Sequence, residues 1–390
     1  MEHVYAVPVE ATGWQIPGVG STVSFDWQYD GGRQRMLNLY QKGKDRQWDS
    51  VHRIDWTHEV DPSDQGMIPD EVIPIFGSQT WNRLSREDKD RVRHHYLAWT
   101  NSQFLHGEQG ALICSAKIVS TVPELDSKFY AATQTMDEAR HVETYARYLQ
   151  DKLRLTYPID GSLQSLLDQT ISDPRWDFTY LGMQVMIEGV ALAAFSMIRD
   201  FTADPLGRAI NAYVMQDEAR HIAFGRLALK DAYAGLSEAE RAEREEFVVE
   251  ASYLLRDRFL AREVWDTLGF DADALCTYVD RHQMMTEFRK ALFSRVVPTV
   301  KDIGLWGPKV QAAFEDMGVL GFQDLDVEEL SDGDERIAEE MESLLAARAD
   351  GRPAPTDGSR AAEMATTIAT ADTADTADTA ETTETTEHPN

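Results

Sequence analysis

Residues 85–235 place apolar and polar side chains in the pattern of four consecutive long helices. Ser85 can cap the first helix, with acidic residues in the next turn, and a proline lies at or just before the start of each of the others. The predicted spans are 85 to about 120, about 124 to 153, 174 through the apolar run 183–198, and 205 to about 233. Gly235 then acts as a stop signal. The pattern predicts an all-α fold.

The flanking chain has a different character. Residues 1–84 show no sustained period and carry five tryptophans among Gly, Pro and Asp, which predicts an irregular arm whose aromatics anchor it to the helices or line a substrate entrance. Beyond residue 235, a capping box at Ser237–Glu240 opens a further helix. More helices are expected over 273–297, which Pro298 ends, 306–318 and 335–347. The end of the chain is low-complexity and acidic, which predicts a disordered tail. The predicted domains are an arm (1–84), a bundle (85–235), additional helices (236–349) and a tail (350–390).

The pentapeptide Asp-Glu-Ala-Arg-His occurs twice, at 137–141 and 217–221. Residues i and i+3 of a helix share a face, so each copy presents one carboxylate and one imidazole in the same direction. These pairs are Glu138 with His141 and Glu218 with His221. A further glutamate precedes each pair by 30 residues, at Glu108 and Glu188. The two halves are therefore offset by 80 residues at every one of these positions.

Chain reversals are needed to bring these residues together, because 30 residues of unbroken helix would span about 45 Å. Pro123 and Asp204-Pro205 lie near the middle of the two intervals and predict such reversals. Two antiparallel hairpins packed as a four-helix bundle would then unite four glutamates and two histidines. This is the ligand set of di-iron and di-manganese carboxylate bundles. Four carboxylates balance two divalent cations.

One Glu-x-x-His alone would more often be surface decoration on a helix. Two copies, each with its own upstream glutamate and an intervening turn signal, favour metal binding over an internal duplication without a metal. The position of Glu188 inside an apolar run supports the same interpretation, because an unpaired buried carboxylate is costly.

These motifs resemble the ferritin-like di-iron carboxylate superfamily over about residues 85–235. The doubled Asp-Glu-x-Arg-His is similar to the branch with the ribonucleotide reductase small subunit, the hydroxylase subunits of soluble di-iron monooxygenases and the acyl-carrier desaturases. The resemblance implies a bundle that holds two iron ions, or manganese with iron, and reacts with O₂. It also implies that Asp137 supports His221 and Asp217 supports His141 across the bundle, with Arg140 and Arg220 paired to those aspartates. Plain surface ion pairs are the alternative for the arginines.

Individual residues bear on the branch. Tyr145 lies four residues after His141, where the reductase small subunit carries its radical tyrosine, and is either a redox residue or core packing. The tail has no aromatic anchor of the kind that docks a large reductase subunit. Leu192 stands where the multicomponent hydroxylases have a threonine, and Val214 stands where the arylamine N-oxygenases have an extra histidine ligand. These differences argue against a close match to any of the three.

The resulting prediction is a stand-alone non-haem di-iron oxygenase that hydroxylates or N-oxygenates a small organic substrate. An external reductase or ferredoxin would supply electrons, and a homodimer is expected from the habit of the superfamily. The alternatives are a ferritin-like protein that binds iron or scavenges peroxide and a radical-generating subunit like that of ribonucleotide reductase. Four apolar side chains are candidates to shape the pocket, namely Phe104, Leu112, Phe129 and Met186.

Composition limits the binding partners and the cellular compartment that we expect for this chain. A net charge of -29 makes nucleic acids and anionic membranes poor partners. Two cysteines, Cys114 and Cys276, are too few for a disulfide framework. The longest apolar run, near residues 190–198, is far short of a membrane span, and no export signal is present. We therefore expect a cytoplasmic enzyme.

Overall fold

Two helical hairpins form the centre of the structure, a computed structural model that describes residues 4–7, 23, 32–62, 64, 67–334 and 336–337. The chain divides into two units, 1–342 and 343–390, and all described residues lie in the first. The predicted acidic tail and almost all of the helix predicted at 335–347 lie outside the described residues.

The first hairpin consists of α4 (Arg86–Thr121) and α5 (Leu125–Arg147). The hydroxyl of Ser85 caps α4 by accepting a hydrogen bond from the Asp88 N–H. Pro123 lies in the short connection, so the predicted reversal is present. α5 continues into a π-helical turn, Tyr148–Leu153, which ends at Arg154 in a left-handed conformation with φ of 58°.

The second hairpin begins with α7 (Trp176–Tyr180), which runs through a π-helical segment, Leu181–Ile187, into α8 (Glu188–Phe201). It returns along α9 (Pro205–Tyr233), whose first N–H groups are capped by the Asp204 carboxylate. The predicted third helix is therefore present but contains a wide turn directly before Glu188. Within this segment Gly182 packs so closely on Thr170 that a Cβ would lie 2.2 Å from the threonine hydroxyl.

Further elements surround the hairpins. Those before α4 are β1 (Val4–Tyr5), α1 (Gln34–Asp45), α2 (Ser50–Arg53), a 3₁₀ turn (Asp70–Val72) and α3 (Gln79–Arg83). Between the hairpins lie β2 (Leu155–Thr156) and α6 (Gly161–Ser172). After α9 come α10 (Glu238–Asp257), a 3₁₀ turn (Arg258–Leu260), α11 (Arg262–Thr267), α12 (Ala272–Arg281), α13 (Gln283–Leu292), α14 (Val296–Asp302), α15 (Pro308–Asp316) and a 3₁₀ turn (Leu320–Asp324). β1 and β2 pair in parallel over two residues each. The predicted all-α bundle with extra helices is confirmed.

Two local predictions differ from the structure. The arm expected to be irregular contains the 12-residue helix α1, which the Arg33 side chain ties to Asp126 at the start of α5. The single helix expected over 273–297 is instead three helices, because His282 adopts an extended conformation and a turn separates α13 from α14. Pro298 lies in the first turn of α14 and does not end a helix. Backbone N–H groups in the first turn make no hydrogen bond within the helix, so proline is tolerated there. The capping box of α10 is present as predicted.

The helical stretch Trp176–Phe201 is long and apolar enough to cross a membrane by length and composition. Within its most apolar window, 78% is buried inside the protein. It is thus the central helix of the core, and it brings Glu188 into the bundle interior.

Candidate metal centre

The six predicted ligands come together in the middle of the bundle. Glu108 lies on α4 and Glu188 begins α8, while α5 and α9 each carry one Glu-x-x-His pair. All six side chains are buried, with exposed fractions between 0% and 5%. Two overlapping groups have ligand atoms within 4.8 Å of one another and could each hold a metal ion. The first comprises Glu108, Glu138, His141 and Glu218, and the second comprises Glu138, Glu188 and His221.

Glu138 and Glu218 lie between the two histidines. The Nδ1 atom of His141 is 3.3 Å from an oxygen of each glutamate. The Nδ1 atom of His221 is 3.1 Å from Glu138 and 3.6 Å from Glu218. Glu108 instead contacts only the His141 side, with its Oε2 3.1 Å from Nδ1. The arrangement therefore has two central carboxylates and, in Glu108 and Glu188, two peripheral ones.

The outer nitrogen of each histidine faces an aspartate from the other half of the repeat. His141 Nε2 lies 3.0 Å from Asp217 Oδ2, and His221 Nε2 lies 3.3 Å from Asp137 Oδ2. An ionised carboxylate can only accept a hydrogen bond, so Nε2 donates in both pairs. This leaves Nδ1 of each neutral ring free to bind a metal. These are the crossed contacts that the family resemblance implied.

The two arginines of the repeat are not equivalent. Arg140 donates to both aspartates, at 2.6 Å to Asp137 and 2.7 Å to Asp217. Arg220 donates to Asp217 and to the backbone carbonyl of Gln216. Both arginines are buried, so they are not the surface ion pairs considered as the alternative.

Sequence reasoning missed the contribution of the segment after α1. Trp48, only 7% exposed, donates its indole N–H to Asp217 Oδ2 at 2.8 Å. Gln47 donates to Asp137 Oδ1 at 2.7 Å and accepts from Arg140 at 2.7 Å. The arm therefore completes the hydrogen bonding of both aspartates. No repeat or spacing marks these two residues, which lie about 90 positions or more before their partners.

Sequence reasoning also missed two buried glutamines, Gln134 and Gln184. Both are fully buried beside the cluster. Gln134 lies on α5 one turn before Glu138, and Gln184 lies in the π-helical segment one turn before Glu188. The amide of Gln134 donates to both of these glutamates.

Burial and mutual repulsion govern the charges of the cluster. Burial raises the pKa of Glu108 and Glu188, and Glu218 raises both further. Burial acts to lower the pKa of each histidine, but Glu108 beside His141 and Glu138 beside His221 raise both pKa values well above the ordinary range. The cluster therefore attracts positive charge. Protons supply this charge when no metal is bound, and metal ions would replace those protons.

Buried polar atoms without hydrogen-bond partners show that the six predicted ligands fit a pair of cations. Oxygens of three ligand glutamates and Nδ1 of His221 are buried without a hydrogen-bond partner among the described residues. These atoms are Glu138 Oε2, Glu188 Oε2, both carboxylate oxygens of Glu218, and His221 Nδ1. Unpaired buried acceptors of this kind are costly unless a cation binds them.

Two cavities adjoin each other, and the inner one reaches the cluster. The inner cavity, of about 30 Å³, is lined by three of the candidate ligands, Glu108, Glu188 and Glu218, together with apolar side chains. The outer cavity, of about 60 Å³, is predominantly apolar. Both cavities share the lining residues Gln103, Phe104, Ala194, Arg258 and Phe259. Of the side chains predicted to shape the pocket, only Phe104 lines either cavity; Met186 packs in the core and Phe129 is 40% exposed.

Arg258 is an unusual component of this cavity wall. Its side chain is 9% exposed, and the nearest acidic atom is Asp160 Oδ2 at 3.9 Å, beyond hydrogen-bond distance. The Nε atom of Arg258 and the Oδ2 atom of Asp160 are both buried without a partner among the described residues. Arginine stays protonated in proteins, so a positive charge with only this long ion pair to Asp160 and a contact with the Phe259 ring borders the cavity next to the cluster.

Tyr145 is buried on the same face of α5 as His141, as its spacing predicted. Its hydroxyl donates to Asn211 Oδ1 at 3.2 Å, and its ring packs on Phe104 and Phe195. Burial, with the negative charges of Glu108 and Glu218, raises the pKa of Tyr145 well above its ordinary value. These contacts are compatible with core packing and with a redox role.

The family model described as p-aminobenzoate N-oxygenase AurF matches residues 31–304 of this sequence. This chain belongs to that family. The AurF family consists of di-iron oxygenases, so the chain is a di-iron oxidoreductase of the ferritin-like superfamily, and the buried Glu and His cluster is suited to the metal pair.

Comparison with solved structures gives variants of an R2-like ligand-binding oxidase with a reconstituted Mn/Fe cofactor. One has 16% identity and a TM-score of 0.41, covering 72% of this chain and 96% of the other. Another has 15% identity and a TM-score of 0.36, covering 82% of this chain and 94% of the other. Such distant likeness says nothing about the chemistry of this chain. No curated protein sequence matches it.

Membership of the AurF family corrects one inference from the sequence. Val214 was expected to argue against a close match to the arylamine N-oxygenases, because the extra histidine ligand is absent there. The family match includes position 214, so valine at this position does not separate the chain from the AurF family. The side chain of Val214 is fully buried in α9.

Proposed function

We propose that Glu108, Glu138, His141, Glu188, Glu218 and His221 hold two iron ions that oxidise a small aromatic amine carrying a carboxylate. When bound, the iron pair would supply the activation of O₂ and the oxidising power. The observation that supports this substrate class most directly is Arg258, a buried cation in a mostly apolar cavity that leads to three of the six residues, with one acidic partner, Asp160, at 3.9 Å among the described residues.

Each part of the pocket has a chemical counterpart in such a substrate. The aromatic side chains of Phe104 and Phe259 would pack on the ring and exclude water. Arg258 would bind the carboxylate at the end opposite the amine, since its planar guanidinium matches a carboxylate in two parallel hydrogen bonds. The amine would then point toward the cluster. The family description, p-aminobenzoate N-oxygenase, names a compound with these features.

The remaining residues would hold the ligands in place. Asp137 and Asp217 would keep His221 and His141 in the tautomer that presents Nδ1, and Arg140 and Arg220 would hold those aspartates in place through their hydrogen bonds. Tyr145 is proposed as a redox residue next to Glu108 and Glu218, whose charges affect its pKa.

Electron balance calls for an external donor. Conversion of an amine and O₂ to a hydroxylamine and water takes two electrons from the amine and two electrons with two protons from elsewhere. We propose that a reductase or ferredoxin supplies those electrons, and that the enzyme works as a homodimer in the cytoplasm. The two buried free cysteines agree with a reducing compartment. Light scattering of the purified full chain would test the dimer.

The first experiment measures metal content. Full-length protein from iron-supplemented cells should carry about two iron ions per chain, and a Glu138→Ala, Glu218→Ala double variant should lose them. Melting of both proteins without metal would show whether the variant remains folded. A wild-type protein that refuses iron on reconstitution would refute the metal assignment.

The second experiment tests the substrate class. Iron-loaded enzyme with a chemical reductant and O₂ is given p-aminobenzoate or aniline, and oxygenated products are measured by mass spectrometry. Loss of a charged hydrogen-bonded pair costs about 1.5–3 kcal/mol, so Arg258→Met should raise the KM for p-aminobenzoate about 10-fold or more and leave that for aniline nearly unchanged. Arg262→Met, at an exposed arginine paired with Asp273, is the matched control. Equal effects on both amines would contradict the carboxylate role.

A further inference from the structure

Gln134 and Gln184 form a hydrogen-bonded chain that ends on two of the candidate ligands. The Nε2 atom of Gln184 donates to Oε1 of Gln134 at 3.3 Å. The Nε2 atom of Gln134 donates to Glu138 Oε1 at 3.1 Å and to Glu188 Oε1 at 3.0 Å. The two glutamates belong to different hairpins, so one amide connects both halves of the bundle.

The direction of this chain follows from chemistry. Ionised carboxylates have no proton to donate, so the NH₂ group of Gln134 must face them and its oxygen must point away. That oxygen accepts from Gln184, which fixes the amide in this orientation. Both glutamines are fully buried, so water does not compete for these contacts.

The Gln134 amide forms a hydrogen bond with one oxygen of each glutamate and none with the other oxygen. Both contacts of Gln134 are to Oε1 atoms, while Glu138 Oε2 and Glu188 Oε2 are buried without a hydrogen-bond partner among the described residues. Glu138 Oε1, which Gln134 contacts, lies 3.1 Å from His221 Nδ1, whereas Glu138 Oε2 lies 3.3 Å from His141 Nδ1. Gln134 therefore acts on Glu138 and Glu188 at the His221 end, where these two residues form the second metal group with His221.

The amide pair is present at one end of the cluster only. The 80-residue offset of the repeat relates Gln134 to Val214 and Gln184 to Phe104, both of which are apolar. Gly225, the counterpart of Tyr145, makes room for the pair, since a Cβ at that position would lie 2.4 Å from the Gln184 Cβ. The end of the cluster at Glu108 and His141 has no equivalent amide from these repeat positions.

We propose that Gln134, oriented by Gln184, is a positioning residue for the metal ion held by Glu138, Glu188 and His221, and that it makes the two metal positions unequal in affinity. The inference rests on the proposed two-metal site. Removing a group that orients a metal ligand typically weakens metal binding about 10–100-fold. Glu138 belongs to both metal groups but Glu188 only to the second, so the weakening should be much larger at the second metal position.

The test is an anaerobic titration of the full-length protein with Fe(II) in competition with a chelator, which resolves both dissociation constants. Gln134→Met keeps the side-chain length but removes the donors. It should weaken one site about 10-fold or more and leave the other within about threefold of wild type. Gln184→Leu, which only frees the orientation of Gln134, should weaken the same site to a smaller extent. Asn101→Leu is the matched control, because this buried amide on α4 donates to the Leu97 carbonyl.

The outcomes separate this inference from the proposed function. Two sites with wild-type constants in Gln134→Met, or equal weakening of both sites, would overturn the positioning role while leaving the two-metal site intact. A wild-type chain that binds fewer than two ions would overturn the proposed function and this inference with it. Melting of each variant without metal checks folding, and Gln184→Leu provides a second route if Gln134→Met is unstable.

Discussion

Trp48 connects the segment after α1 to the cluster, and the change Trp48→Phe removes the indole N–H while keeping an aromatic ring at this position. The indole N–H donates to Asp217, and the ring stacks on Tyr213 with centroids 4.9 Å apart. The guanidinium of Arg140 lies 4.7 Å from the ring centroid. Phenylalanine retains part of the stacking but has no donor for the carboxylate.

The expected cost is the sum of two losses. A hydrogen bond to a charged group is worth about 1.5–3 kcal/mol. Weakening of the cation–π contact with Arg140 adds about 0.5–1 kcal/mol. Asp217 keeps Arg140, Arg220 and His141 as donors, so it is not left as an unpaired buried charge. We therefore expect the free energy of unfolding to fall by about 2–4 kcal/mol.

Urea unfolding of the metal-free protein measures this quantity without any contribution from bound ions. Trp56→Phe is the matched control, since its indole donates to a neutral acceptor, the Ser50 carbonyl, and its ring also contacts an arginine, Arg147. The control should lower the free energy of unfolding by about 1–2.5 kcal/mol. If Trp48→Phe costs no more than Trp56→Phe, the indole–Asp217 bond does not stabilise the cluster and the reasoning is refuted.

Three other perturbations follow from the same structure. Arg140→Lys replaces a planar guanidinium, which donates from two nitrogens to Asp137, Asp217 and Gln47, with a shorter side chain whose donors lie on a single nitrogen. Urea unfolding should therefore show a loss of about 2–3 kcal/mol in the free energy of unfolding, and no loss would mean that the bridge is unimportant. Burial lowers the pKa of His95 to about 4, so the unfolded chain, whose histidine pKa is about 6.5, takes up the proton first as pH falls. The neutral His95 ring stabilises the fold fully above pH 6.5, and this contribution is lost as the pH falls toward 4. From pH 7.5 to 5.5, the free energy of unfolding of His95→Gln should therefore fall by about 1 kcal/mol less than that of wild type, after a discount for the partial exposure of the ring. Gly110→Ala should destabilise the protein by about 1–3 kcal/mol, because the added Cβ would lie 2.5 Å from Leu167. Gly107→Ala on the same helix is the control: its Cβ meets nothing within 4 Å, so it should be neutral or stabilising by up to about 1 kcal/mol. Thermal melting measures both.

The sequence predicted the helical hairpins and the six clustered residues because both depend on local patterns that occur twice. Helix periodicity and the caps at Ser85 and Asp204 define where the long helices begin. The spacing of Glu108 and Glu188 from their pentapeptides then fixes their height in the bundle. A pattern that repeats at an equal offset is visible without any knowledge of the third dimension.

The features that the sequence did not predict depend on contacts between distant residues. Trp48 and Asp217 are separated by 169 positions, and no sequence pattern near either residue indicates that they are in contact. Arg258 lies outside the repeat on a 3₁₀ turn, and its importance comes only from the cavity that it lines. The π-helical turn before Glu188 was not predicted either, because helical periodicity does not distinguish such a turn from an α-helix.

The repeat and its departures have different roles in the cluster. Positions that are identical in both halves supply the charges, and each central carboxylate, Glu138 or Glu218, contacts both histidines. Substitution at either central glutamate should therefore affect both ions. Positions that differ between the halves, such as Gln134 against Val214, add contacts at one end of the cluster, because Gln134 also holds the peripheral Glu188. Residues outside the repeat, Gln47 and Trp48, add different contacts to Asp137 and Asp217. Differences between the two metal ions should therefore come from these residues, since the charges that the duplication preserved are the same at both ends.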